Sequence, residues 1–195
     1  MRRLEQWSLA LASVRVLLLI LPISLVHVAS AEEIGAPPLC LELHPVDPDV
    51  DEGAPIEVEV RLRNCGSSYV VIPPRIFPEA SGVEPEPWGV LTVAIREGEG
   101  PPAPYSGRWI GNKLKLPSPE DFLVLGPGYF YGLRVSLTDG EFAYSIQRPG
   151  IFTIVAVLRT SARQWLQKIS EPLTFDLARV FSGTVQSKPL IISAR

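Results

Sequence analysis

The residues best equipped for chemistry in this chain are acids in one turn, a single histidine, and aromatic residues set among prolines. The segment Asp47-Pro48-Asp49-Val50-Asp51-Glu52-Gly53 puts carboxylates at alternate positions, and hard cations such as Ca²⁺ take several oxygens of that kind. An EF-hand loop needs glycine at its sixth position and a bidentate glutamate at its twelfth. Here Glu52 and Val58 stand at those places, and Gly53 comes one residue late. The segment therefore reads as a solvated acidic turn and no metal is expected. Asp47, Asp49 and Asp51 are the ligands a calcium ion would use if one bound.

Acyl-transfer chemistry has less to work with. His44 is the one histidine after residue 31, and its parity in the surrounding strand points it outward. No Gly-x-Ser-x-Gly elbow is present to hold a nucleophilic serine. Acids such as Glu79, Glu84, Glu86, Glu97 and Glu99 lie in proline-rich connections and read as solubilising charge. Gly126-Pro127-Gly128 is a strand-entry turn and not a phosphate loop. No enzyme and no cofactor are expected.

The aromatics are the better lead. Trp88, Tyr105, Trp109 and Trp165 sit in or beside irregular stretches, away from the regular apolar faces. Large aromatics in such places either plug the open ends of a fold or serve as contact residues, and Arg-aromatic neighbours are favoured at contacts. Trp88, Tyr105, Arg108 and Trp109 are accordingly the candidate binding surface.

The elements that position these residues are strands. Leu39, Leu41 and Leu43 form one face of a first strand, and Ile56, Val58, Val60 and Leu62 the apolar face of a second. Tyr69–Ile72 is short and ends at Pro73-Pro74. Leu91, Val93 and Ile95 alternate with polar or small residues, as do Tyr129, Tyr131, Leu133, Val135 and Leu137. After the Asp139-Gly140 turn, Phe142, Tyr144 and Ile146 resume the alternation, and Phe152, Ile154, Ala156 and Leu158 follow Pro149-Gly150. Leu190-Ile191-Ile192 comes last. Seven or eight short strands of this kind predict an antiparallel β-sandwich. Residues 73–88 and 97–120 read as long connections, holding ten of the twenty prolines. Residues 161–181 read as partly helical, with Ser161 as cap, Trp165, Leu166 and Ile169 on one face, and Pro172 as stop.

The two cysteines, Cys40 and Cys65, take outward parity in the first and second strands. If those strands are neighbours the thiols emerge on one face and pair, closing a loop worth about 3 kcal/mol. Oxidation fits the N-terminus. Arg2 and Arg3 precede the apolar run Val16–Val26, which falls short of the ~20 residues a spanning helix needs, and Ala29-Ser30-Ala31 is a small-x-small site. Residues 1–31 are therefore expected to be a signal peptide, cleaved before Glu32, and residues 32–195 a single domain with no transmembrane segment. The leader takes three of the 18 basic and one of the 21 acidic residues, so the 164 that remain carry a net charge of −5. That balance argues against nucleic acid as a partner.

Five short motifs occur in order along the chain. They are Leu41-Glu42-Leu43, then Glu52-Gly53-Ala54-Pro55-Ile56-Glu57-Val58 running to Leu62-Arg63-Asn64, then Leu125-Gly126-Pro127-Gly128. Pro149-Gly150-Ile151-Phe152-Thr153-Ile154 and Gly183-Thr184-Val185-Gln186-Ser187 complete the series. Across residues 39–194 the chain resembles a bacterial immunoglobulin-like domain, near the family named for an intracellular proteinase inhibitor (BsuPI-like). The resemblance implies an immunoglobulin-like sandwich. The expected function is that of a secreted or periplasmic interaction module whose partner is another exported or envelope protein. The runner-up is a protease inhibitor that presents an extended loop such as Pro101-Pro102-Ala103-Pro104-Tyr105; an enzyme comes third.

Overall fold

The structure, a computed structural model, describes residues 39–79, 85–108, 115–146 and 149–195. The expected leader and its cleavage site lie outside the described residues, as does Trp109. Among the described residues the framework is eleven strand segments: β1 (Leu39–Pro45), β2 (Asp49–Val50), β3 (Glu57–Asn64), β4 (Val70–Ile72), β5 (Ile76–Pro78), β6 (Gly89–Glu97), β7 (Leu123–Leu125), β8 (Phe130–Ser136), β9 (Gly150–Thr160), β10 (Gly183–Gln186) and β11 (Leu190–Ala194). One sheet has the order β1-β3-β8. The second has the order β2-β11-β9-β6-β5, with β10 also paired to β9, and β4 and β7 form a separate antiparallel pair. The fold is an immunoglobulin-like antiparallel β-sandwich, in which the first strand belongs to one sheet and its continuation, β2, joins the other by pairing parallel to β11.

Parity builds the core. Ile56, Val58, Val60 and Leu62 face inward at 1% exposure or less, opposite Ile154, Ala156 and Leu158 of the second sheet. Leu91, Val93 and Ile95 join them. The same period leaves the outer face of the first sheet charged: Arg61 lies 2.5 Å from Glu59, Arg134 2.5 Å from Glu57, and Arg63 3.2 Å from Glu42. The β1–β3 register puts Cys40 beside Arg63, and Cys40 is bonded to Cys65, with Cα atoms 5.9 Å apart.

Turn chemistry fixes the entry to β8. Tyr129 N–H donates to the Gly126 carbonyl 3.1 Å away across Pro127-Gly128, and Gly128 has φ 77°. That is the left-handed position a type II turn assigns to glycine after proline. β10 and β11 lie end to end along β9, interrupted at Ser187-Lys188-Pro189. Pro189 has no N–H to offer, and buried Ser187 keeps the ladder whole: its N–H donates to the Ala156 carbonyl and its Oγ accepts from Ala156 N–H, both at 2.9 Å.

Three sequence expectations need correction. Residues 142–146 do not form a strand; Gly140–Phe142 is a 3₁₀ turn, and only an isolated bridge links Tyr144 to Tyr105. The stretch 73–88 contains β5, paired parallel to β6. The insert at 161–181 is partly helical as expected, but its helix is one turn, α1 (Ala162–Leu166), which ends well before Pro172, and a 3₁₀ turn follows at Leu177–Arg179. Among the described residues no helix is long and apolar enough to cross a membrane.

Candidate binding surface

The two ends of the sandwich are closed differently, and the candidate residues divide between them. At the end where β3 and β9 finish, Val71, Phe122, Ala162, Leu166 and Val180 form a small second core, separate from the main one. Trp165 stacks on Phe122 with centroids 6.1 Å apart. Trp88 belongs to this end too. It is 5% exposed and meets Phe77 edge-on at 5.5 Å. Trp88 is thus a packing residue and not part of an open surface, because it immediately precedes β6 and is drawn inward with it.

At the opposite end the proline-rich segment runs along the edge of β6 that β5 leaves uncovered. Ala103 N–H donates to the Ile95 carbonyl at 2.7 Å, and Val93 N–H donates to the Tyr144 hydroxyl at 3.3 Å. The segment is then bonded to the connection between β8 and β9. Ser145 N–H donates to the Pro104 carbonyl at 2.8 Å, and Ser106 and Gly107 N–H both donate to the Ala143 carbonyl at 2.8 and 2.9 Å. Three prolines within residues 101–104 lower the cost of ordering it, since their φ is already fixed.

Tyr105 and Arg108 are brought together here. The Tyr105 hydroxyl donates to the Glu141 carbonyl at 2.5 Å, and its ring meets Tyr144 edge-on at 5.6 Å. Burial raises the Tyr105 phenol above its ordinary value of 10.0, and the nearby Glu141 charge adds to that. Burial raises the Tyr144 phenol as well. Gly107 must be glycine: a Cβ there would stand 2.6 Å from both the Glu141 carbonyl oxygen and the Tyr105 hydroxyl. Arg108 is exposed, and its N–H donates to the Gly140 carbonyl at 3.3 Å.

Two open clefts lie at this end, and Ser106 lines both. One of about 580 Å³ is lined by Gly53, Pro55, Ser106, Thr138, Asp139 and Ser145, among others. A second, of about 390 Å³, is lined by Ser106, Arg108, Gly140 and Glu141. Their groups are hydroxyls, carboxylates, main-chain amides and one guanidinium, a set suited to holding a polar partner. Loops gathered at one end of a sandwich are also where variable immunoglobulin domains bind.

The other candidates fall elsewhere. Asp47 Oδ1 accepts from Asp49 N–H at 3.0 Å, an Asx turn that launches β2. Among the described residues no group of three or more His, Cys, Asp and Glu is placed to hold a metal ion, so Asp47, Asp49 and Asp51 do not converge. His44 lies on the charged outer face, 3.3 Å from Glu42. Sequence reasoning missed Tyr144 as a support for β6, and its placement in a strand pattern concealed that role.

No family model matches the sequence, and no curated protein does. Among solved structures, the chain is similar to a CARDB domain of a Pyrococcus furiosus protein, solved in complex with di-metal ions. The two are 15% identical with a TM-score of 0.36, over 84% of this chain and 97% of that one. The fold rests on the strand order.

Proposed function

We propose that the chain is an exported, non-enzymatic β-sandwich that binds another exported or envelope protein through the end formed by residues 103–108 and 137–145. The observation that carries this reading is a loop fixed by main-chain hydrogen bonds on both sides that still leaves Ser106 lining two open clefts and the exposed Arg108 lining one of them. Such a surface binds without ordering itself first. Export is supported by the apolar, signal-like run in the sequence, and the Cys40–Cys65 bond is compatible with an oxidising compartment. The non-enzymatic reading is supported by the position of His44, whose imidazole lies 3.3 Å from Glu42 and lines neither of these two clefts.

Inhibition of a protease, as a BsuPI-like relation would suggest, requires residues 101–107 to present free main chain to an enzyme cleft. Here Ala103, Pro104, Ser106 and Gly107 already have main-chain partners within the domain. A photo-crosslinking residue placed at 108 in cells is expected to capture one protein, and the same residue at exposed position 171, at the opposite end, none. Equal capture from both positions would sink the proposal.

A further inference from the structure

β1 is an edge strand, and the hydrogen-bonding direction of each of its residues is fixed by its neighbours. Val46 N–H donates to the Glu57 carbonyl, which makes 46/57 a hydrogen-bonded pair one step beyond Pro45/Val58, the last pair of the β1–β3 register. In an antiparallel ladder such pairs alternate. Cys40, Glu42 and His44 therefore direct their N–H and C=O groups at β3, and Leu39, Leu41 and Leu43 direct theirs away from it. The independent alternation across β3 agrees: Asn64 N–H donates to Tyr129, and Leu137 N–H to Ile56. Among the described residues no strand pairs with the outer edge of β1. A groove of about 690 Å³ runs beside it, lined across from β1 by Val185, Gln186, Lys188 and Pro189. Leu43 has inward parity yet is only half-buried. An open row of amides and carbonyls is a template for another strand.

We propose that a second copy of this chain occupies that edge, β1 pairing antiparallel with its own counterpart about a two-fold axis at Leu41. The edge is more self-complementary in this register than in either neighbouring one. Leu41 faces Leu41 of the other copy, and Leu39 faces Leu43, so each of these leucine pairs exchanges both main-chain hydrogen bonds. On the inner face the row is leucine throughout, and each Leu43 is covered by a Leu39. On the outer face Glu42 falls opposite Cys40, which is flanked by Arg63, so the charges alternate. Sliding by two residues one way sets Glu42 against Glu42, a like-charge pair that opposes association. It also pairs Leu39 with Pro45, which has no N–H to give. Sliding the other way loses one leucine pair. The proposal concerns the side of the sandwich and is independent of its loop end.

Sedimentation equilibrium of the oxidised chain from micromolar to millimolar concentration, with amide exchange at Leu41 and Leu43, tests it. Dimerisation is expected, with both amides exchanging more slowly as concentration rises. Leu43→Pro removes an N–H that faces the seam and none that faces β3. It should leave the monomer folded and weaken dimerisation about tenfold or more, whereas Leu43→Thr, which keeps the N–H, should retain it. A chain that stays monomeric at millimolar concentration overturns the proposal. So does a dimer in which Leu41 exchanges at one rate at every concentration, because that dimer uses another face. Should Leu43→Pro fail to fold, the exchange of the unaltered chain decides alone.

Discussion

One end of this sandwich is closed with apolar side chains and the other with main-chain hydrogen bonds, and the two solutions leave different surfaces behind. At the first, Phe122 is held between Trp165 at 6.1 Å and Phe175 at 6.1 Å, over Val71, Leu166 and Val180. Rings that fill space this way leave little to recognise. At the second, the segment 103–108 is tied to Ile95, Ala143 and Ser145 by amides, which satisfies the backbone but leaves Arg108, Asp139 and Glu141 exposed. Aromatics near an irregular stretch are therefore not one class. Trp165 serves the plug, Trp88 is buried against Phe77, and Tyr105 serves the hydrogen-bonded end.

The sharpest way to break this contrast is Phe122→Ala. Phe122 is 5% exposed and is the centre of the second core, so its truncation removes both transferred area and packing. The expected loss is about 3–5 kcal/mol, read from urea denaturation. A loss below about 1 kcal/mol would mean the plug collapses readily and is not a rigid closure.

At the opposite end the matching test is smaller. Gly107→Ala forces a methyl against a main-chain carbonyl oxygen and the Tyr105 hydroxyl, both at 2.6 Å. Backbone cannot swing aside as a side chain can, so the expected cost is roughly 1–3 kcal/mol. The loop should detach from residues 140–143, and capture of a partner at position 108 should fall with it. Unchanged stability together with unchanged capture would show that the loop is not held as the hydrogen bonds imply.

How far this contrast was legible in the sequence differs by element. The inward sets Ile56 to Leu62, Leu91 to Ile95 and Phe152 to Leu158 could be read directly, because period-two alternation and burial have a common cause in the pleat. Asn64 could not. It continues the inward parity of β3 at 1% exposure, a polar residue made tolerable only because its amide donates to the Ser68 and Leu125 carbonyls at 2.7 and 2.9 Å. β5 was hidden because three residues ending in proline and paired in parallel leave no alternation to detect. Phe142, Tyr144 and Ile146 misled in the other direction. They alternate like a strand, but the main-chain groups of this segment bond to Pro104, Ser106 and Gly107 and not to a ladder. The Tyr105–Arg108 end was half legible: proline density marked the loop, while the partners that pin it lie some forty residues later in the chain and appear only once it folds.

The finest test separates the ends by pH. Tyr144 sits under the hydrogen-bonded end, and burial is the main reason its phenol titrates above the ordinary 10.0. In the unfolded chain the same group ionises near 10. Below that pH both states keep the proton, and the stabilising effect of the neutral buried phenol is fully present. As pH rises from about 10 through the raised folded value, the unfolded chain releases a proton that the folded one retains, so stability falls. Tyr144→Phe should flatten this alkaline limb. At neutral pH it should cost about 1 kcal/mol, because Val93 N–H loses the oxygen to which it donates at 3.3 Å. Phe122→Ala, at the plugged end, should shift the whole stability curve downward and leave its alkaline slope as it was. If Tyr144→Phe also leaves that slope intact, the hydroxyl is not closing the edge of β6, and the loop end is held by residues 103–107 alone.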